Sequence, residues 1–193
     1  MKSMNVYLCG VGGQGIGLLA EVLAQASLAA GYRVCGCDTH GLAQRHGTVV
    51  SHLRLGEKLF TPRVPVGRAD LVVGLERLET LRGVAKMLRR GGTAVYYDTI
   101  YQPIFVRTGQ AKYPTPEEMA AAVAACDGKL ERVFVEDLDD PRMQNSALLG
   151  KLGAIEAIPG VTATVLEQAL RAAVPKAALD ANVAVFRRVA SAS

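Results

Sequence analysis

Apolar positions along this chain fall in short blocks that alternate between the strand and the helix periodicity. Val6-Tyr7-Leu8-Cys9 is a compact apolar run that ends in glycines, which predicts a buried strand entering a tight turn. From Ile16 to Ala30 almost every residue is apolar or small, which predicts a helix covered on most sides. Arg33 to Cys37 and Thr48 to Leu55 read as strands. Gly56-Glu57 before Lys58-Leu59-Phe60 predicts a small hairpin with glycine leading the turn. Asp70 to Gly74 is a short buried strand feeding a helix near Glu76. Leu75, Leu78, Leu81, Ala85 and Leu88 mark one face of that helix, and Arg89-Arg90-Gly91-Gly92 reads as a basic last turn with a glycine stop. Thr93 to Tyr97 is the next strand. Thr115-Pro116-Glu117-Glu118 predicts a helix start, with threonine as N-cap, proline at the first helical position and Glu118 closing a capping box. Arg132 to Val135 is the last strand. Helices follow from about Met143, Thr162 and Ala177, with breaks at Pro159 and Pro175. The stretch from Tyr101 to Pro116 is the one loose segment, read as a surface loop in preference to a lid or a partner-contacting loop.

This order predicts an α/β protein of three layers, α/β/α. Its sheet is Rossmann-like and mostly parallel, with an antiparallel hairpin at one edge and a helical C-terminal third. A length of 193 residues is the size of one domain, taken here as 1–193, and is enough to bury a core. With 50% apolar and 21% charged residues the chain is expected to be globular and not disordered. No run approaches the roughly 18 apolar residues of a membrane span. Met1-Lys2-Ser3 leads straight into the first strand and leaves no room for a secretory signal, so a cytoplasmic location is expected. A net charge of +4, spread along a chain with no tryptophan, predicts no nucleic-acid platform.

The chemistry begins at the glycine turn. Gly10, Gly12 and Gly15 match G-x-G-x-x-G literally, with Gly13 and Gln14 between them. A strand, a glycine turn and a helix N-terminus leave backbone N–H groups and a positive dipole end that suit an anion. Asp38 stands about 20 residues on, where a dinucleotide site carries the acid for the ribose hydroxyls. An NAD(P) site and a turn built only for close strand–helix packing are both open on this pattern.

A second motif follows. His40-Gly41-Leu42-Ala43-Gln44-Arg45-His46-Gly47 precedes the Val-rich segment Thr48 to Arg54. Taken together, the two motifs resemble the gamma subunit or domain of the 2-oxoacid:ferredoxin oxidoreductases. The likeness is greatest to the short beta subunit of the indolepyruvate branch, which has an Ala-Gln-Arg-Gly-Gly segment before such a strand. Asn145 to Gly150 and Asn182 before Phe186 are similar to that family's late helices. His46 stands where the family usually has glycine. The resemblance implies a small subunit that completes a complex with a larger one. The larger subunit would hold thiamine diphosphate and iron–sulfur clusters and pass electrons to ferredoxin. It also implies coenzyme A as the ligand first assigned here, at Gly10, Gly12, Gly13, Gln14 and Gly15 with Gln44, Arg45, His46 and Gly47. The substrate class implied is aryl pyruvates, with the pyruvate or 2-oxoglutarate branch as the alternative within the family and a stand-alone NAD(P)-binding protein as the alternative outside it.

The remaining residue types narrow the role. Cys9, Cys35, Cys37 and Cys126 show no C-x-x-C spacing and no cluster-ligating run, and Cys9 and Cys35, in predicted core strands, read as buried thiols in a reducing compartment. Cys35 and Cys37 share a strand face, a weak metal pattern. His40, His46 and His52 are all of the histidines and match no standard zinc spacing, so no metal ligand and no catalytic residue is assigned. Arg45 is the residue expected to bind an anion, against an ion pair with an acid such as Asp38. Glu136 to Asp140 reads as a solvated acidic loop before a metal or docking site. Isolated, the chain is expected to be inactive, and a homodimer is the one self-association considered.

Overall fold

The computed structural model describes residues 3–40, 47–100, 104–110 and 112–192. Its strands are β1 (Met4–Val11), β2 (Val34–His40), β3 (Thr48–Leu55), β4 (Ala69–Gly74), β5 (Leu88–Tyr97) and β6 (Lys129–Val133). Its helices are α1 (Ile16–Ala29), α2 (Arg77–Met87), α3 (Ile104–Arg107), α4 (Pro116–Ala124), α5 (Gln144–Ala154), α6 (Ala163–Ala173) and α7 (Lys176–Ser191). The strands form one sheet in the order β2-β3-β1-β4-β5-β6. Pairs β1–β4, β4–β5 and β5–β6 are parallel, and β3 runs antiparallel to both of its neighbours.

Two layers of helix follow from the period of the strands. Val6 and Leu8 point to one face, where Leu19 and Leu23 of α1, Leu148 of α5 and Leu170 of α6 close the larger core. Cys9 points to the other face, with Val72 of β4, Val84 and Met87 of α2 and Val123 of α4. Alternate residues of one strand therefore serve two cores, as a sheet covered on both sides requires. The helical C-terminal third packs onto the first face, and Ser146 of α5 reaches Asn182 of α7 at 2.6 Å. The capping box at Thr115 and Glu118 is present.

Two local expectations are corrected. The edge hairpin exists, but β2 and β3 build it; residues 58–60 form no strand. Both sides of β3 are already taken, by β1 and by β2, so no edge is left for a returning strand. The helix expected to run to Arg90 stops at Met87, and Leu88 is already extended and paired with Ala69. Residues 89–92 are a bulge in β5, since the next pair is Leu71 with Thr93. Arg89 and Arg90 serve carboxylates there, not helix carbonyls: Arg89 meets Asp70 at 2.5 Å, and Arg90 pairs with Asp127.

Candidate functional site at the carboxyl end of the parallel strands

The glycine turn sits where β1 ends, beside the carboxyl end of β4. Gly13 (φ 100°) and Gly15 (φ 84°) are left-handed, a conformation that a side chain disfavours. Gln14 is buried and ties the turn in three ways. Its Oε1 accepts from Val11 N at 2.8 Å, its Nε2 donates to Leu75 O at 2.7 Å, and its backbone N donates to Val11 O at 3.1 Å. Asn145, 2% exposed, donates from Nδ2 to Gln14 O (3.1 Å) and Gly15 O (3.3 Å). Helix α1 then starts at Ile16 with neither a side-chain cap nor an acid in its first turn. Its leading N–H groups and the positive end of its dipole thus keep the capacity for an anion. A Cβ built on Gly13 or Gly17 meets nothing within 4 Å, so the approach is open.

The second loop arrives at the same place. Val11 pairs with Thr48, and Gly12 N donates to Gly47 O at 2.8 Å. Gly10, Gly12, Gly13, Gln14, Gly15 and Gly47 are therefore one structural unit. Gln44, Arg45 and His46 lie outside the described residues. Asp38 is a different matter. A dinucleotide fold places its second strand next to its first; here β3 intervenes, which moves Asp38 one further strand spacing, about 5 Å, from the glycine turn. Asp38 accepts instead from Ser51 Oγ at 2.5 Å. The acid that an NAD site needs is displaced and engaged.

The remaining candidates have structural partners. His52 is buried, and its Nδ1 accepts from Val64 N at 3.1 Å; burial first, and the nearby Arg63, push the imidazole down and keep it neutral. In the acidic loop, Asp137 meets Arg188 at 3.0 Å and Asp140 meets Arg142 at 2.6 Å.

Beside the glycine turn lies a polar cluster that the sequence pattern did not single out. Glu76 and Glu79 at the start of α2 are buried, and so is Asp98 just after β5. Arg77 pairs with Asp98, gives a hydrogen bond to Pro114 O at 2.9 Å, and lies over the Tyr113 ring at 5.4 Å. Arg132 pairs with the other oxygen of Asp98 at 2.5 Å. The Tyr113 hydroxyl has one hydrogen and two acceptors, Thr99 O at 2.7 Å and Oε1 of Glu76. Both contacts are satisfied together only when Glu76 is the protonated acid. Burial, the largest influence, does push the Glu76 carboxyl up. Glu79 is raised for the same reason, against its Arg82 partner at 2.8 Å. The signal that could have shown this pair is Glu76 directly after an apolar strand, where a helix N-cap is expected.

Sheet and turn together define an α/β protein with its open polar site at the carboxyl ends of the strands, next to the point where β1 departs toward β3 on one side and β4 on the other. Residues 5–192 match the pyruvate ferredoxin/flavodoxin oxidoreductase family, and the chain belongs to it. It is 33% identical to the indolepyruvate oxidoreductase subunit IorB of Thermococcus kodakarensis, over 96% of this chain and 94% of that one. To the IorB of Pyrococcus horikoshii it is 34% identical with the same coverage. The fold is shared with pyruvate oxidoreductase subunit PORC of Thermotoga maritima (TM-score 0.65, 20% identity, 99% of this chain and 97% of that chain). It is also shared with the 2-oxoglutarate:ferredoxin oxidoreductase of Magnetococcus marinus, whose structure holds 2-oxoglutarate, coenzyme A and succinyl-CoA (TM-score 0.66, 18% identity, all of this chain and 32% of that one).

Proposed function

We propose that the chain, as a single domain over residues 1–193, is the small subunit of an indolepyruvate-type ferredoxin oxidoreductase and supports CoA-dependent oxidative decarboxylation of an aryl pyruvate in the cytoplasm. The observation that carries this reading is end-to-end correspondence with the archaeal IorB subunits, which are matched over 94% of their length. The pyruvate and 2-oxoglutarate enzymes share the fold at 18–20% identity, which supports the family more than the branch.

Thiamine diphosphate and iron–sulfur clusters, in this reading, belong to the larger subunit, where they supply decarboxylation and electron transfer to ferredoxin. The described residues offer no set of ligands for a cluster. Among the described residues no three His, Cys, Asp or Glu side chains converge on a metal position. Cys9 is buried in β1, and burial pushes its thiol well up, away from the thiolate a cluster needs.

This chain's share of the work is binding and positioning. Gly13, without a side chain, lets an anionic group reach the backbone, and the first turn of α1 offers it N–H donors. Gln14 and Asn145 hold that turn rigid from behind. Arg45 would add a bidentate contact to a phosphate of coenzyme A, with Gln44 and Gly47 flanking it; His46 replaces the family's glycine at this spot. No group of this chain is assigned to the reacting atoms, and turnover requires the assembled complex. The test is anaerobic affinity purification of the chain from its own host. The expected result is co-purification of a larger, coloured, thiamine-containing subunit and CoA-dependent oxidation of indolepyruvate. Gly13→Ala and Arg45→Ala should each raise KM for CoA in that complex. A colourless chain without a partner would sink the subunit reading; unchanged KM in both variants would remove CoA from this turn.

A further inference from the structure

On the α2 side of the sheet, the described helices pack chiefly on β1, β4, β5 and β6. The segment from Gly56 to Arg68 lies on this side too and is fixed at three points. Arg54 donates to Thr61 O at 3.1 Å, Val64 N donates to His52 Nδ1 at 3.1 Å, and Gly67 N donates to Lys86 O at 3.0 Å. Between this segment, the sheet and the end of α2 is a cavity of about 440 Å³. That is the size of a small-molecule site, and its walls are held before any ligand arrives.

The wall chemistry has one sign. Among the described residues the charged members of its lining are Arg63 and Lys86, and neither has a carboxylate partner there. Glu79, an acid of the adjoining groove that Tyr7 also lines, is paired with Arg82 at 2.8 Å. Because His52 Nδ1 accepts from Val64, its hydrogen sits on Nε2, which has no acceptor among the described residues. The Tyr7 and His52 rings meet edge to face at 5.1 Å, and Val50, Val66 and Met87 complete an apolar surface.

We propose that this cavity binds a small organic carboxylate, with its head between Arg63, Lys86 and His52 Nε2 and its apolar body against Val50, Val66, Met87 and the Tyr7 ring. Two separate cations with a neutral N–H donor suit a monocarboxylate, and the apolar wall excludes a bare inorganic anion as the best fit. The site is on the face of the sheet, apart from the glycine turn, and does not depend on the function proposed above.

The probe is phenylacetate, titrated into the full chain and followed by NMR of the His52 imidazole and the Val64 amide. Saturable shifts at both, with a His52 pKa that rises on binding, are expected. Arg63→Ala and Lys86→Ala, both exposed positions with an expected wild-type Tm, should each weaken binding about tenfold. Benzyl alcohol and inorganic phosphate should bind at least tenfold more weakly than phenylacetate. Absence of His52 shifts, benzyl alcohol binding as well as phenylacetate, or unchanged affinity in both variants would each overturn the proposal.

Discussion

The side-chain amide of Asn145 fills the space that a Cβ on Gly15 would occupy: its Nδ2 is 2.5 Å from that position. Gly15 is also left-handed, so two costs coincide in Gly15→Ala. The conformation costs about 1–2 kcal/mol and the overlap adds about 1–3 kcal/mol. Asn145→Ala alone should cost about 1–2 kcal/mol for its lost hydrogen bonds to the turn. In the Asn145→Ala background the overlap is gone, so Gly15→Ala should then cost only its conformational part. Urea denaturation of the four proteins of this cycle measures the coupling; strict additivity would mean that the two residues are not in contact.

Gln14 makes the complementary tie, from the turn to the neighbouring strand. Gln14→Leu keeps the volume but strands Val11 N–H and Leu75 C=O in a buried place, each unmet group costing about 1–3 kcal/mol. A loss of about 2–4 kcal/mol is expected in urea melts. Hydrogen exchange at Val11 should rise more than exchange at Leu152, two turns along α5 from Asn145. A uniform rise across the protein would argue that Gln14 does not act locally.

What could be read in the sequence was what short range decides. The glycine turn, the capping box at Thr115 and the extent of α1 each depend on residues within a few positions of one another, and they stand as expected. Strand order depends on where β3 is inserted, and no local pattern records that Thr48 would face Val11 and not a hairpin partner beyond Gly56. The buried polar cluster is hidden for a related reason. Glu76, Arg77 and Glu79 sit in a helix start with no local sign of burial, and their partners Asp98 and Tyr113 are 21 and 37 residues away. Long-range closure turns these ordinary surface letters into a core.

Arg77 is the hinge of that cluster. Its side chain is 12% exposed against 2% for Asp98, so Arg77→Ala leaves a buried carboxylate with, among the described residues, the half-exposed Arg132 as its ion-pair partner. About 2–4 kcal/mol should be lost, toward the low end if Arg132 compensates. Arg77→Lys restores charge but not the fork that joins Asp98 to Pro114 O, and should recover less than half of the loss. Thermal and urea unfolding of both variants checks this. Full rescue by lysine would reduce the interaction to simple charge.

The Glu76–Tyr113 contact makes stability depend on pH in a defined direction. The folded-state pKa of Glu76 is raised above its unfolded value, which is about 4.3. Folding therefore takes up a proton at this site. Its stabilisation is complete below the unfolded pKa and is lost as pH rises toward and through the raised folded value. Glu79 adds to the same trend. The carboxylates of Asp137, Asp140 and Glu167 are shifted the other way by their arginine partners, and their contribution falls away only on acidification. Glu76→Gln mimics the protonated acid: its amide can donate to the Tyr113 oxygen, its carbonyl can accept from Glu79 N, and Tyr113 keeps Thr99 O. The variant should match the wild type near pH 4.5 and gain on it progressively toward pH 8, whereas Glu76→Ala should be less stable than Glu76→Gln throughout. Urea midpoints at intervals across this range decide it. A difference between Glu76→Gln and wild type that stays flat with pH would show that Glu76 does not hold the shared proton.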